Sequence, residues 1–386
     1  VQQTYNKDRL KLNSLEQLLF MTIRQITQNL ESFAPLAYQE SYDNAGLLTG
    51  LASWECTGVV CALDATLAVL EEAKAAGANL VVAHHPILFK GITKITGKNY
   101  VEEALIYAIK NDLAIYAIHT NLDNVWGGVN SVIAQRIGLT HCQILQPKKS
   151  ILTKLVTFVP TPQFMQVQAA LFAAGAGNIG EYSETSFSSG GVGTFRGSEW
   201  SNPTIGTPGA LAQVEETRIE VILPNYLEQQ VVAALKEAHP YEEVAYDLIP
   251  LNNFNQQVGS GMIGQLQSPL EEEAFLSLLS TQFGLKLVKH TPLLGKKVQK
   301  IALCGGAGSF LIKDAVAAGA DFFVSADIKY HEFFDANNQL VVADIGHWES
   351  EQYTIDLLFS LITSKFPNFA VLKTTVQTNP VRYFLG

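Results

Sequence analysis

Two stretches far apart in the chain end in the same way. LAIYAIHTNLD carries His119 and Asp123, and LVVADIGHWESE carries His347 and Glu351. In each, an apolar run is followed by a histidine and, four residues later, by a carboxylate. A third apolar run, NLVVAHHP, ends in His84 and His85. Imidazole and carboxylate delivered together at strand ends suit a divalent cation such as Zn, Fe, Mn or Co. Three such ends leave room for two ions, so metal-dependent chemistry is the leading expectation. His331, in DIKYHEFFD beside Asp327 and Tyr330, is a candidate general acid or base because imidazole titrates near neutrality. His119 either binds metal or moves protons nearby.

Each residue also has a plainer role. Neighbouring strand residues point to opposite faces, so His84 and His85 share a site only where the strand ends, as Pro86 suggests. Asp123 could cap a helix, and Glu351 could sit in a first helical turn that favours negative charge. If a helix starts near Trp348, His347 and Glu351 share one of its faces. The run CGGAGS (304–309) reads as a tight strand-to-helix turn, with phosphate contact as an alternative. Lys90 and Lys94 could present cations to an anionic substrate, and Trp126 and Trp348 could stack on a base.

The elements that must position these residues form a repeat. AKAAGANLVVAHH (73–85) aligns without gaps on AVAAGADFFVSAD (315–327), placing His84 opposite Ala326 and His85 opposite Asp327. Each copy reads as a helix closed near a glycine, then a buried strand, and each is followed by one of the two His/carboxylate corners. The expectation is an α/β fold of two pseudo-repeated halves about one cleft, with strand C-terminal ends converging there. Residues 151–253 differ in character. Their strand–helix–strand, strand–helix–strand order suggests an inserted ferredoxin-like α+β domain, interrupted by a Gly/Ser/Pro-rich loop over 188–211. The expected organisation is an extension over 1–20, a first core half over 21–150, the insertion over 151–253 and a second core half over 254–386.

Composition narrows the partners. The net charge is −10, from 26 Lys+Arg against 36 Asp+Glu, which speaks against binding a nucleic-acid backbone. No apolar run approaches the roughly 18 residues of a spanning helix. The opening twenty residues are too polar for a secretory signal. The four cysteines form no C-x-x-C pair, so structural thiols in a reduced cytoplasm are expected.

Taken together, YDNAGLLTG, VVAHHPILFKGITKI, IHTNLDNVWGGVN, HPYEEVAYDLIPL, ALCGGAGS, SADIKYHEF and DIGHWESE resemble the NIF-three-like family, in family order from about residue 21 onward. Bacterial members are often named GTP cyclohydrolase 1 type 2 homologues. The resemblance implies a NIF-three-like core with a two-metal site held by His84, His85, Asp123, His347 and Glu351, the last touching both ions. It implies a toroidal homohexamer, a trimer of dimers. The leading reading is a metal-dependent hydrolase of a nucleotide-like small molecule, with His119 or His331 transferring protons. Under the cyclohydrolase name, water attacks C8 of guanine, the ring opens and the one-carbon unit leaves as formate. Phosphoester cleavage is open to the same site. The competing reading is a metal-binding scaffold or regulatory protein without turnover.

Overall fold

A computed structural model describes residues 20–384, so the expected extension lies outside the described residues but for its last position. The chain forms two compact units. One combines the two ends of the chain, up to Gln146 and from Val258, and the other is Pro147–Gln257.

In the first unit, helix Ile23–Phe33 opens on a capping box between Thr22 and Gln25. There follow β1 (Gly46–Thr49), β2 (Val59–Asp64), β3 (Leu80–His85) and β4 (Ala114–Ala117). The strands β2, β3 and β4 are parallel and almost wholly buried, as continuous apolar runs between helical layers should be. Helices Leu67–Ala75 and Tyr100–Lys110 make the crossovers. Val60, Ala62, Val81 and Ala83 form one core with Val69, Leu70, Ala104 and Ala108 from those helices. The chain then passes through helices Thr120–Asp123 and Val129–Ile137 into β5 (Leu139–Lys149).

The second unit contains β6 (Leu152–Pro160), β7 (Phe187–Arg196), β8 (Leu211–Pro224) and β9 (Tyr246–Leu251). They form an antiparallel sheet of order β7-β8-β6-β9, with helix Phe164–Ala173 after β6 and helix Glu228–Ala238 after β8. Leu155, Val159, Ile219 and Val221 pack on Val167, Leu171, Val231 and Leu235 from the helices. The loop expected over 188–211 is corrected. Residues up to Arg196 form most of β7, paired with β8 from Phe187 to Arg196. Their Gly/Ser composition lowers strand propensity, but the ladder with β8 overrides it.

The first unit resumes within β10 (Phe254–Glu271) and holds β11 (Lys289–His290), β12 (Lys297–Ala307), β13 (Phe322–Ala326), β14 (Val341–Asp344) and β15 (Val371–Lys373). The sheets have orders β1-β4-β3-β2-β15 and β11-β14-β13-β12-β10-β5. The repeat is realised here. Each sheet holds a parallel triplet, β2-β3-β4 or β12-β13-β14, whose last strand carries an antiparallel partner, β1 or β11. Gly77 and Gly319, at φ +74° and +70°, close the equivalent helices in the left-handed conformation that glycine takes without strain. Among the described residues, no helix is long and apolar enough to cross a membrane. Cys56, Cys61, Cys142 and Cys304 are all unbridged.

Candidate metal centre

The strand β3 ends at His85, and that ending lets neighbouring histidines share a site, their ring centroids 5.0 Å apart. His84 is fully buried, and its Nδ1–H donates to the Ile118 carbonyl at 2.8 Å. His85 directs Nδ1 at Asp64 Oδ1, 2.8 Å away, and His347 directs Nδ1 at Asp327 Oδ2, also 2.8 Å away. All three Nδ1 atoms are thus tied to acceptors, as the outer nitrogens of metal-ligating histidines usually are. The three Nε2 atoms face Glu351 Oε2, at 3.9 Å from His84, 2.9 Å from His85 and 3.0 Å from His347. One ligand atom from each of His84, His85 and Glu351 lies within 4.8 Å of the others. Glu351 and His347 are one turn apart in helix His347–Glu351, which follows β14.

Asp123 completes the group. It ends helix Thr120–Asp123 rather than capping it; His119 holds the N-cap position. Asp123 Oδ1 and His84 Nε2 are buried, have no hydrogen-bond partner, and face each other at 3.5 Å. Because His84 Nδ1 carries its proton, Nε2 presents a lone pair to the carboxylate oxygen. Two acceptors facing across a buried gap need a cation or a proton between them, so these residues fit a divalent ion.

The electrostatics agree with that need. Burial pushes His84 down to about 3, so its imidazole is neutral. Burial would also lower His85 and His347, but the carboxylates they face prevail. Asp64 and Glu351 raise His85 to about 9, and Glu351 and Asp327 raise His347 to about 11. Glu351 is held well below the usual carboxylate range, because His347 and His85 outweigh the opposing effect of burial. Burial and the Glu351 charge hold Asp123 well above it. In the metal-free protein, His85 and His347 therefore carry protons near pH 7 on the atoms that face Glu351.

The glycine run gives Glu351 its space. A Cβ on Gly306 would fall 2.4 Å from Glu351 Oε1, and the residue's φ of +58° already favours glycine. Two amides of this run are already engaged, which argues against the phosphate alternative. The Gly305 and Gly306 amides donate to Asn130 Oδ1 and Ser350 Oγ, at 2.9 and 3.1 Å. Gly306→Ala is expected to cost about 2 kcal/mol in thermal unfolding and to lower metal content by displacing Glu351. An unchanged melting temperature and metal content would refute the spacing role.

The candidate ligands border a cavity of about 380 Å³ whose lining includes His85, His119, Asp123, His347 and Glu351. His119 donates Nδ1–H to Asp43 Oδ1 at 2.8 Å, and Asp43 also accepts from the Thr120 amide. The His119 ring lies 5.3 Å from that of His84. His331 does not join this group. It is exposed, with its ring against Tyr330 and Phe334, and it is absent from the cavity lining. Lys90, Lys94, Trp126 and Trp348 also lie outside that lining. Asp43, Asp64 and Asp327 orient histidines but were assigned no role from sequence. Asp64 ends the apolar run of β2 just as His85 ends that of β3, a signal that could have identified it.

A family model described as Duf34/NIF3 (NGG1p interacting factor 3) matches residues 21–380. A Halalkalibacterium halodurans protein named GTP cyclohydrolase 1 type 2 homolog is 38% identical over 363 residues, covering 93% of this chain and 98% of its own. A Bacillus subtilis protein of the same name is 34% identical over 365 residues, with the same coverage. The solved structure of a Bacillus cereus protein related to NIF3 superposes with a TM-score of 0.83 at 36% identity, covering 95% of this chain and 100% of that one.

Proposed function

We propose that this chain, which belongs to the Duf34/NIF3 family, is a hydrolase of a nucleotide-like small molecule working with two divalent cations. The observation that carries this reading is the convergence of three imidazole Nε2 atoms on Glu351, with every Nδ1 held by an acceptor and with His84 Nε2 and Asp123 Oδ1 lacking partners. His84 and Asp123 would hold one ion, His85 and His347 the other, and Glu351 both. When bound, such cations supply Lewis acidity and a water of lowered pKa. The name carried by the relatives, GTP cyclohydrolase 1 type 2 homolog, supports ring-opening hydrolysis as the reaction class.

The chain's own contribution is positioning and proton transfer. Asp43 fixes the His119 tautomer, so that Nε2 carries the lone pair that accepts a proton from the reacting group. Asp43→Asn should lower kcat by about 100-fold, in the range for a general acid or base, and leave metal content unchanged. Equal losses of metal and activity would assign Asp43 to the ligand framework instead. The reading as a whole is tested by turnover on a nucleotide and nucleoside panel, comparing wild type with the His84→Ala/Glu351→Gln double variant. Metal-dependent turnover lost in the variant supports it. Two bound metals without turnover on any compound would favour the non-catalytic metal-binding reading. The family's hexameric toroid is carried to this chain as part of the same proposal, and light scattering would contradict it by returning a monomer.

A further inference from the structure

The cavity's lining is unlike a polyphosphate site. Among the described residues, it includes the carboxylates of Glu40, Asp64, Asp123 and Glu351 and no lysine or arginine. Lys90, the basic residue next to Phe89 in sequence, lines an adjoining recess with Asp43 and Leu48, which shares Phe89 with the cavity. Lys289 lines an adjoining recess that shares Asp64, His85 and His347 with the cavity, and there it is paired with Asp344 at 2.6 Å. The charges of two divalent cations would be largely met by Asp123, Glu351 and Asp64. A triphosphate entering here would bring several further negative charges past carboxylates with no side-chain cation to receive them, and poorly solvated charge needs a partner.

The same lining is rich in exposed aromatic surface. Tyr42 is 68% exposed, Phe89 52%, Tyr100 69% and Phe310 57%, and all four border this cavity. Phe89 also sets its ring edge-on to His119, 5.5 Å between centroids. Exposed aromatic faces beside a polar floor are suited to holding a flat ring by stacking, whatever its sequence of substituents. The tyrosine hydroxyls can both donate to and accept from the polar edge of such a ring. Trp126 and Trp348, which the sequence offered as residues that could stack on a base, do not border the cavity.

We infer that the substrate received here is an uncharged planar nitrogen heterocycle, a purine-like base or nucleoside, held among Tyr42, Phe89, Tyr100 and Phe310, and not a nucleoside triphosphate. This deepens the hydrolase proposal and rests on its placement of the reaction in this cavity. The test is equilibrium binding of guanine, guanosine, inosine, adenosine, GMP and GTP to the full-length, metal-loaded protein at low and high salt, with turnover followed on the same compounds. At least one uncharged compound should bind about tenfold more tightly than GTP, with little dependence on salt. Tyr100→Ala/Phe310→Ala should weaken that binding by about tenfold, the order expected from lost stacking, with metal content unchanged. GTP binding most tightly and with steep salt dependence would overturn the inference. So would the absence of binding by every uncharged compound, or an unchanged affinity in the double variant. Tight nucleoside binding without turnover would defeat the hydrolase proposal and leave standing the class of ring that the cavity binds. Turnover of GTP but not guanosine would do the reverse.

Discussion

Glu351→Gln is expected to retain its fold and lose most of its bound metal. Glu351 is 3% exposed, and its Oε2 is the atom on which the His84, His85 and His347 Nε2 atoms converge. Glutamine preserves the shape but removes the negative charge, and its amide nitrogen has no lone pair for a cation. Losing a residue that merely supports a ligand weakens metal binding by about 10–100-fold. Losing a carboxylate shared by two ions should exceed the upper end of that range. Elemental analysis of the purified variant measures the effect directly, and circular dichroism checks the fold. His290→Ala is a suitable control. His290 is exposed on β11 and bonded to the Thr291 carbonyl, and its variant should bind metal like the wild type. A Glu351→Gln protein with full metal content would refute the shared-ligand role.

Metal affinity should fall steeply as pH is lowered. Near pH 7 the metal-free protein holds protons on His85, raised to about 9, and on His347, raised to about 11. Both must leave before their Nε2 atoms can bind a cation, so ion entry releases about two protons and affinity drops about 100-fold per pH unit below pH 8. Calorimetry in buffers of different ionisation enthalpy counts the protons. The sign for stability follows from the same shifts. A histidine raised above its ordinary value of about 6.5 stabilises the metal-free fold fully below that pH. For His85 and His347 this stabilisation is lost as pH rises through about 9 and about 11. The metal-loaded protein behaves oppositely, so the rise in melting temperature on adding metal should grow with pH. A pH-independent affinity would show that these imidazoles are not ligands.

The histidine group was legible because strand ends are legible. The runs before His85 and His119 are apolar and uninterrupted, and the run before Asp344, which leads into His347, is too. A parallel sheet buried on both faces demands that pattern. The gapless repeat then implied that the ends of β3 and β13 are equivalent, and the sheet orders realise it. Asp327, aligned with His85, was visible in that repeat, but its task of holding His347 was not. Asp43 was less visible still, because the His119–Asp43 bond spans 76 residues and depends on tertiary placement alone. Residues around Ser188–Gly193 were misread because local composition speaks for a turn while β8 supplies the pairing. The aromatic border failed for a related reason. Tyr42, Phe89, Tyr100 and Phe310 come from four separate segments, and no periodicity links them.

Anomalous diffraction from crystals loaded with Mn(II) or Zn(II) would test the central claim most directly. Two peaks per chain are predicted, one against His84 and Asp123 and the other against His85 and His347, both beside Glu351. A single peak, or peaks away from Glu351, would contradict the two-cation site.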